Sequence, residues 1–313
     1  MYYLSDVSSP SVTRRSLCKL LATLPVAKAL AAERNMFLSL NSVLVNGRVP
    51  WPDFARLAAQ LGFPGTDVML GGAMKAGAGA TNDLLAQLKV KPAVIDFPVE
   101  FRKDDATFEA SLAKLDGAAQ FAAAIHCPRM ITYILPSSDT PKDELRRTYK
   151  QRFTQSARIL AQHGVTLGLE FLGPLHFRKA KPYEFIWRMN DMLAFAKECG
   201  PNVGLLLDSW HWHHAGATTE DIMAAGRDRV VHVHFNDSPD LPPDQIRDDH
   251  RLLPGEGVIN LVGFLQALQK IGYTDALSVE VFGRTKDMTP EQAAKAGLDS
   301  SLAVFRKAGV PQG

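Results

Sequence analysis

From residue 36 onward, short apolar runs alternate with segments whose apolar positions recur every three or four residues. The runs read MFLSLN (36–41), GTDVML (65–70), KPAVIDF (91–97), RMITYIL (129–135), VTLGLEF (165–171), VGLLLDS (203–209), VVHVHFN (230–236) and ALSVEVF (276–282). Their near-continuous apolar character is that of strands buried on both faces of a parallel sheet. Helices are predicted over 52–61, 106–124, 142–163, 183–198 and 259–271, and a further one over 290–308 follows the last run. Turns such as HGVT, CGPNVG and IGYTDA carry glycine where the end of a helix calls for a left-handed residue.

Eight βα units between residues 36 and 313 predict an α/β fold, a single (β/α)8 TIM barrel. A doubly wound open sheet would alternate in the same way. Its first strand, however, should lead into a glycine-rich phosphate loop, whereas LNSVLVNGRVPW follows here. The cluster GGAMKAGAGA (71–80) reads as a flexible loop after the second strand.

Composition narrows the class. With 313 residues, 46% hydrophobic and 22% charged, the chain can bury a sizeable core. No run approaches the roughly 18 apolar residues of a membrane span. The formal charge of +2 is local in origin: residues 1–35 hold five basic and two acidic side chains, leaving 30 basic against 31 acidic in the body. A body so close to neutral argues against a nucleic-acid partner. Cys18, Cys127 and Cys199 form no ligand spacing and no disulfide framework.

The basic excess sits in TRRSLCKLLATLPVAKALAAE (13–33), which has a twin arginine, a modest apolar stretch and small residues at AKA and ALA. It resembles a twin-arginine export leader, although Leu17 and Cys18 stand where Phe and Leu are commoner. Residues 1–35 are therefore expected to be a leader and the protein periplasmic or otherwise exported; without a working leader it would be cytoplasmic.

In a TIM barrel the active site lies at the C-terminal ends of the strands. Four consecutive strands place polar residues there: Glu170, Asp208, His234 and Glu280. One such carboxylate alone is ordinarily a structural hydrogen-bonding group, and a lone strand histidine a satisfied core residue. Three carboxylates converging with an imidazole would repel strongly unless a divalent cation stood among them. A mostly oxygen donor set suits Mn²⁺, with Mg²⁺ or Co²⁺ also compatible, better than a structural zinc site. His232, two residues before His234, reads as a supporting histidine, and His213 and His214 as loop residues. Trp51, Trp210, Trp212 and Phe171 could stack on a sugar or pack in the core.

The set GLEF, LLDSWHW, HVHFND, HRLLPGEGVINL and SVEVF resembles the xylose isomerase-like sugar isomerase and epimerase superfamily, whose barrel is shared with the endonuclease IV family. The resemblance runs from about residue 36 to the C-terminus and implies a TIM barrel. The ketose 3-epimerases of that superfamily imply that Glu170, Asp208, His234 and Glu280 bind one metal and that His211 and Arg251 contact substrate. Two departures stand out. The loop SPDLPPDQIRDDH (238–250) is longer than in compact epimerases and is expected to form a specificity-setting lid. The glutamate those enzymes carry after the fifth strand has no clear match in GPLHFRK, where His176 falls nearby. The endonuclease branch fits less well: its Asp-x-His pair aligns with Asp249 and Arg251, and VIDFPV and MITYIL lack its two early histidines.

The resemblance implies a metal-dependent isomerase or epimerase of a ketose or keto-sugar, working through an enediolate with Glu170 and Glu280 as acid and base. A lyase or dehydratase acting on a 3-keto-glycoside or keto-inositol would use the same residues, and a non-catalytic sugar-binding protein would keep the metal alone. The partner is a small sugar, unphosphorylated because FGRTKDM (282–288) offers no glycine-rich nest. Neither metal identity nor oligomeric state follows from the sequence, and a homo-oligomer is compatible with it.

The leader carries its own test. Protein recovered from its native host should begin near residue 35, as read by N-terminal sequencing; an intact Met1 in a cytoplasmic fraction would reject export.

Overall fold

In the computed structural model, which describes residues 35–313, all eight predicted strands form and close on one another. They are β1 (Phe37–Leu40), β2 (Gly65–Val68), β3 (Lys91–Asp96), β4 (Arg129–Ile134), β5 (Thr166–Phe171), β6 (Val203–Asp208), β7 (Val230–Phe235) and β8 (Ala276–Val279). Neighbours in sequence pair in parallel, and β8 pairs back onto β1 from Phe37 opposite Ala276 to Leu40 opposite Val279. Closure leaves the sheet without a free edge. The leader expected over residues 1–35 lies, apart from Asn35, outside the described residues.

The unbroken apolar runs have their reason in this closure. Every residue of β6 and β7 is buried, because one face of each strand fills the barrel and the other lies beneath helices. Gly204 on β6 is a consequence of the crowding: a Cβ there would stand 2.6 Å from the carbonyl oxygen of Arg229. No helix among the described residues is long and apolar enough to cross a membrane.

Four helices form close to their predicted spans, at Asp53–Leu61, Lys142–Gln162, Leu261–Lys270 and Pro290–Ala308. Two expectations need correction. The 106–124 segment is divided into Asp105–Leu112 and Leu115–Ala124, and the 183–198 helix begins only at Met189. There Tyr183–Glu184 pairs antiparallel with Ser137–Ser138 instead, in keeping with the extended preference of YEFIW after Pro182. The glycine cluster is not a flexible loop either. It lies in two helices, Leu70–Ala76 and Ala78–Leu88, joined at Gly77 with φ of 90°. Alanine, methionine and lysine outweigh the glycines in helix propensity. Gly72 also lets the first of these helices lie against Trp51, whose Cβ would be 2.8 Å from an added Cβ.

One polar residue organises the top of the barrel between β7 and β8. Asp237 follows β7 and pairs with Leu252 through both backbone groups. Its Oδ1 accepts from the amides of Ser238 at 2.8 Å and Ile259 at 2.9 Å, and its Oδ2 from those of Gly255 at 2.9 Å and Gly257 at 3.0 Å. The turn PGEGVI is thereby folded around a single carboxylate, next to Arg251. Asp237→Ala would strand these donors and is expected to lower stability by about 3 kcal/mol, with Asp237→Asn losing less; thermal unfolding of the two variants checks this, and equal stability to wild type would show the turn to be self-supporting.

Candidate active site

Glu170 and His234 each occupy the fifth position of a six-residue strand, Asp208 ends β6, and Glu280 directly follows β8. Register sets Asp208 opposite His234 and Leu206 opposite Glu170. The strand ends thus bring the four predicted ligands together, and one donor atom from each lies within 4.8 Å of the others. His234 Nδ1 stands 3.0 Å from Glu280 Oε2, 3.6 Å from Glu170 Oε1 and 3.7 Å from Asp208 Oδ2.

Asp208 divides its two oxygens between structure and site. Oδ1 caps the short helix Ser209–His214, accepting from the Trp210 amide at 2.6 Å and the His211 amide at 3.4 Å. Oδ2 accepts from Arg251 Nη1 at 2.7 Å. The cap sets the direction of the helix and so carries His211 over the cluster. Gly173, after β5, allows this: a Cβ there would meet the His211 carbonyl and the Ala215 amide, each at 2.6 Å.

Arg251 is buried and fully engaged. Nη1 reaches Glu280 Oε2 at 3.0 Å as well as Asp208, Nη2 reaches His211 Nε2 at 3.1 Å, and Asp248 Oδ1 accepts from Nε and Nη2. An arginine only donates, so His211 accepts at Nε2 and carries its proton on Nδ1. Burial, countered by the Asp208 carboxylate, pulls the His211 ring down to about 4. It is neutral at physiological pH. Nδ1 has no protein partner.

The electrostatics reflect crowding. Burial, with the Asp208 and Glu280 carboxylates adding to it, pushes Glu170 up to about 8 against the favourable effect of His234. Burial alone would raise Asp208, but Arg251, His211 and His234 hold it well below the carboxylate range. Burial alone would lower His234, but Glu280 and Glu170 hold it well above the usual imidazole value.

A divalent cation fits this donor set. Three carboxylates and an imidazole meet in a buried place, and Glu170 Oε1 and both ring nitrogens of His234 have no hydrogen-bond partner. Buried polar atoms are almost always partnered, so Glu170 Oε1 and one ring nitrogen of His234, unpartnered beside two further carboxylates, are suited to hold an ion. Among the described residues no second group of three or more His, Cys, Asp or Glu comes together in this way.

The cluster opens into a cleft of about 590 Å³ that Glu170, His211, His234, Arg251 and Glu280 all line. Of the two roles open to the aromatic residues near the strand ends, packing is the one they take. Trp51, Trp210, Trp212 and Phe171 are buried in packing, Trp212 against Phe264 at 5.3 Å, and the cleft is faced instead by Phe97, Tyr133, Phe177 and Phe282. His213 and His214, expected in a loop, belong to the capped helix, and His214 Nε2 meets Ser238 Oγ at 3.1 Å. His176 stacks on Phe177 at 4.0 Å without lining the cleft. His232 is a supporting residue as anticipated: Nε2 lies 2.8 Å from Ser278 Oγ, which donates to Asp67 at 2.5 Å. Cys127 and Cys199 are buried and unpaired.

Segment 238–250 is irregular apart from a single turn at Asp248–His250, as its proline content predicted. Ile246 is buried beneath it, and Asp248 delivers its carboxylate to Arg251 and lines the cleft. Asp67, Asp237 and Asp248 were not anticipated as contributors to the site. Of these, Asp237 carried a signal, an aspartate closing a strand ahead of a Gly-x-Gly turn.

A family model for the xylose isomerase-like TIM barrel matches residues 55–307. The chain belongs to this family. Among its relatives, the inosose isomerase of Halalkalibacterium halodurans is 28% identical over 222 residues, 70% of this chain and 76% of that protein. The 3-dehydroshikimate dehydratase of Pseudomonas putida is 28% identical over 160 residues, 49% of this chain but 24% of that protein. A solved xylose isomerase domain protein from Alicyclobacillus acidocaldarius superposes with a TM-score of 0.81 at 29% identity, covering 88% of this chain and 99% of that one. The family's enzymes thus include isomerases and a dehydratase.

The arrangement predicts one divalent ion per chain. Elemental analysis of wild type should return a stoichiometry near one, and His234→Ala should lower it severalfold; three ions per chain, or an unchanged content in the variant, would contradict the assignment.

Proposed function

We propose that the chain is a divalent-metal-dependent isomerase or epimerase of a ketose or keto-sugar, with Glu170 and Glu280 as its acid–base pair. The observation that carries this reading is the placement of the two glutamates. They arise from β5 and β8, three strands apart around the ring, yet their carboxylates meet at one cluster and line one cleft. A substrate carbon held there is flanked by two carboxylates, so one can remove its proton and the other return a proton from another side. Similarity to the inosose isomerase, named for a ring ketone rich in hydroxyls, favours a keto-cyclitol or keto-sugar.

Glu170, Asp208, His234 and Glu280 would hold the ion, and three oxygens with one nitrogen favour manganese. When bound, it supplies the Lewis acidity that acidifies a C–H beside the substrate carbonyl. Neutral His211 offers its Nδ1–H to a substrate oxygen, and Arg251 stabilises negative charge developing on that oxygen. Arg251 is held for this role by Asp248. Glu170 is buried but lines the cleft, so its carboxyl can take a proton directly from the substrate and exchange it with solvent between turnovers.

A dehydratase reading draws on the second relative. It shares proton removal by a glutamate and differs in expelling a neighbouring substituent. A protein that binds a sugar without turning it over is the remaining alternative.

Turnover of inosose and related keto-sugars in D₂O, at saturating Mn²⁺, separates these outcomes. The proposed pair should place deuterium on the carbon beside the carbonyl, and Glu170→Gln or Glu280→Gln should reduce complete turnover by about 100-fold or more while substrate still binds. Dehydrated products would establish the lyase. Full epimerisation by both variants, or no exchange by wild type, would sink the two-glutamate mechanism.

A further inference from the structure

The cleft contains a second arginine with a different situation from Arg251. Arg102 lies in the loop between β3 and the helix Asp105–Leu112. Its guanidinium rests over the Phe101 ring at 4.3 Å and over the Tyr133 ring at 4.0 Å from the centroids. Nη2 donates to the Tyr133 carbonyl and approaches Thr132 Oγ1 at 3.5 Å. Two aromatic faces and a backbone carbonyl therefore fix the plane and one edge of the group. Phe101, buried in the core, anchors the stack.

No acidic partner accompanies this fixed cation. Asp104 caps its own helix through Thr107, and neither it nor Glu100 forms an ion pair with Arg102 among the described residues. Asp96 lines the same cleft but makes no hydrogen bond or ion pair to it. Arg251, by contrast, is committed to Asp208, Glu280 and Asp248. Arg102 thus keeps donors free in the cleft that holds Glu170, His211 and His234. Register places Tyr133 directly opposite Glu170 on the neighbouring strand. Arg102 and the cluster line one cleft, so a ligand that fills it borders both the carboxylates and the guanidinium.

We infer that Arg102 is a specificity-determining substrate contact, and that the keto-sugar or keto-cyclitol taken by this site carries a carboxylate gripped by the Arg102 guanidinium. The inference rests on the proposed reaction and adds its substrate class. A planar guanidinium presents paired donors that match the two oxygens of a carboxylate. The two rings and the backbone carbonyl hold the exposed guanidinium in place without supplying a counter-charge, which favours an anion over a neutral hydroxyl.

Two ring ketones separate the contributions: 3-dehydroshikimate, which bears a carboxylate, and inosose, which bears none. Binding of each to manganese-loaded protein is measured by calorimetry, with metal content determined in parallel. Wild type should bind the carboxylate ketone at least tenfold more tightly, and added salt should weaken that ketone selectively. Arg102→Ala should abolish the preference while leaving inosose binding and metal content unchanged, and Arg102→Lys should retain part of it. Equal affinities in wild type, a preference that survives Arg102→Ala, or failure of both ketones to bind would overturn the inference. Hydrogen exchange from inosose in D₂O reports on the glutamate pair independently of Arg102, so equal affinities in wild type with intact exchange would reject the carboxylate class and leave the reaction standing.

Discussion

Like charges brought together out of water are the constraint around which the upper end of this barrel is arranged. Glu170, Asp208 and Glu280 are carried to one point by strands whose closure leaves their ends no freedom to spread. In such a place mutual repulsion is weakly screened, and each neighbouring group acts as compensation. Arg251 bridges two of the carboxylates, His234 stands against all three, and the Asn236 amide donates to Asp208 at 3.1 and 3.2 Å. The crowding itself makes the place receptive to a divalent ion and, together with burial, pushes the Glu170 carboxyl up to about 8. Architecture and reactivity here share one cause.

The supporting structure shows how far that cause extends. Arg251 can compensate only if the turn behind it holds still, and the turn is wound about the Asp237 carboxylate. His211 can hover over the cluster only because Asp208 starts its helix and Gly173 leaves room beneath it. Deeper in the barrel, His232, Ser278 and Asp67 form a hydrogen-bonded chain, with the Asp67 carboxyl pushed up to about 6 by loss of water despite two serine donors. These residues touch no substrate in the proposed reaction, but they position those that do.

What could be read from the sequence, and what could not, divides along physical lines. All eight strands were legible because burial on both faces writes a continuous apolar run, and Glu170, Asp208, His234 and Glu280 were legible as polar residues closing such runs. The family resemblance is borne out by the match over residues 55–307. Loop contributors were less accessible. Asp248 and Arg102 are ordinary charged residues in polar surroundings, and only the folded chain shows one clasping Arg251 and the other stacked on Phe101 and Tyr133. For the tryptophans, proximity to strand ends left a sugar platform and core packing equally open, and the fold uses their size in packing. At GGAMKAGAGA, glycine content suggested flexibility, but alanine-rich helix propensity and the approach of Trp51 decided the outcome.

The segment between Asp237 and Arg251 is secured at its two ends in different ways. At its start, Asp237 and Ser238 are bound to the turn at Gly257, where an added Cβ would lie 2.1 Å from the Ser238 carbonyl oxygen. At its finish, the Asp249 carbonyl is pressed equally close to Gly283, whose φ of 81° no larger residue adopts easily. Between these fixed points, Asp240 to Gln245 are exposed. Insertions and deletions confined to that stretch would leave the clasp on Arg251 in register, so descendants of this barrel can alter the rim of the cleft by changing loop length while inheriting the charged centre intact.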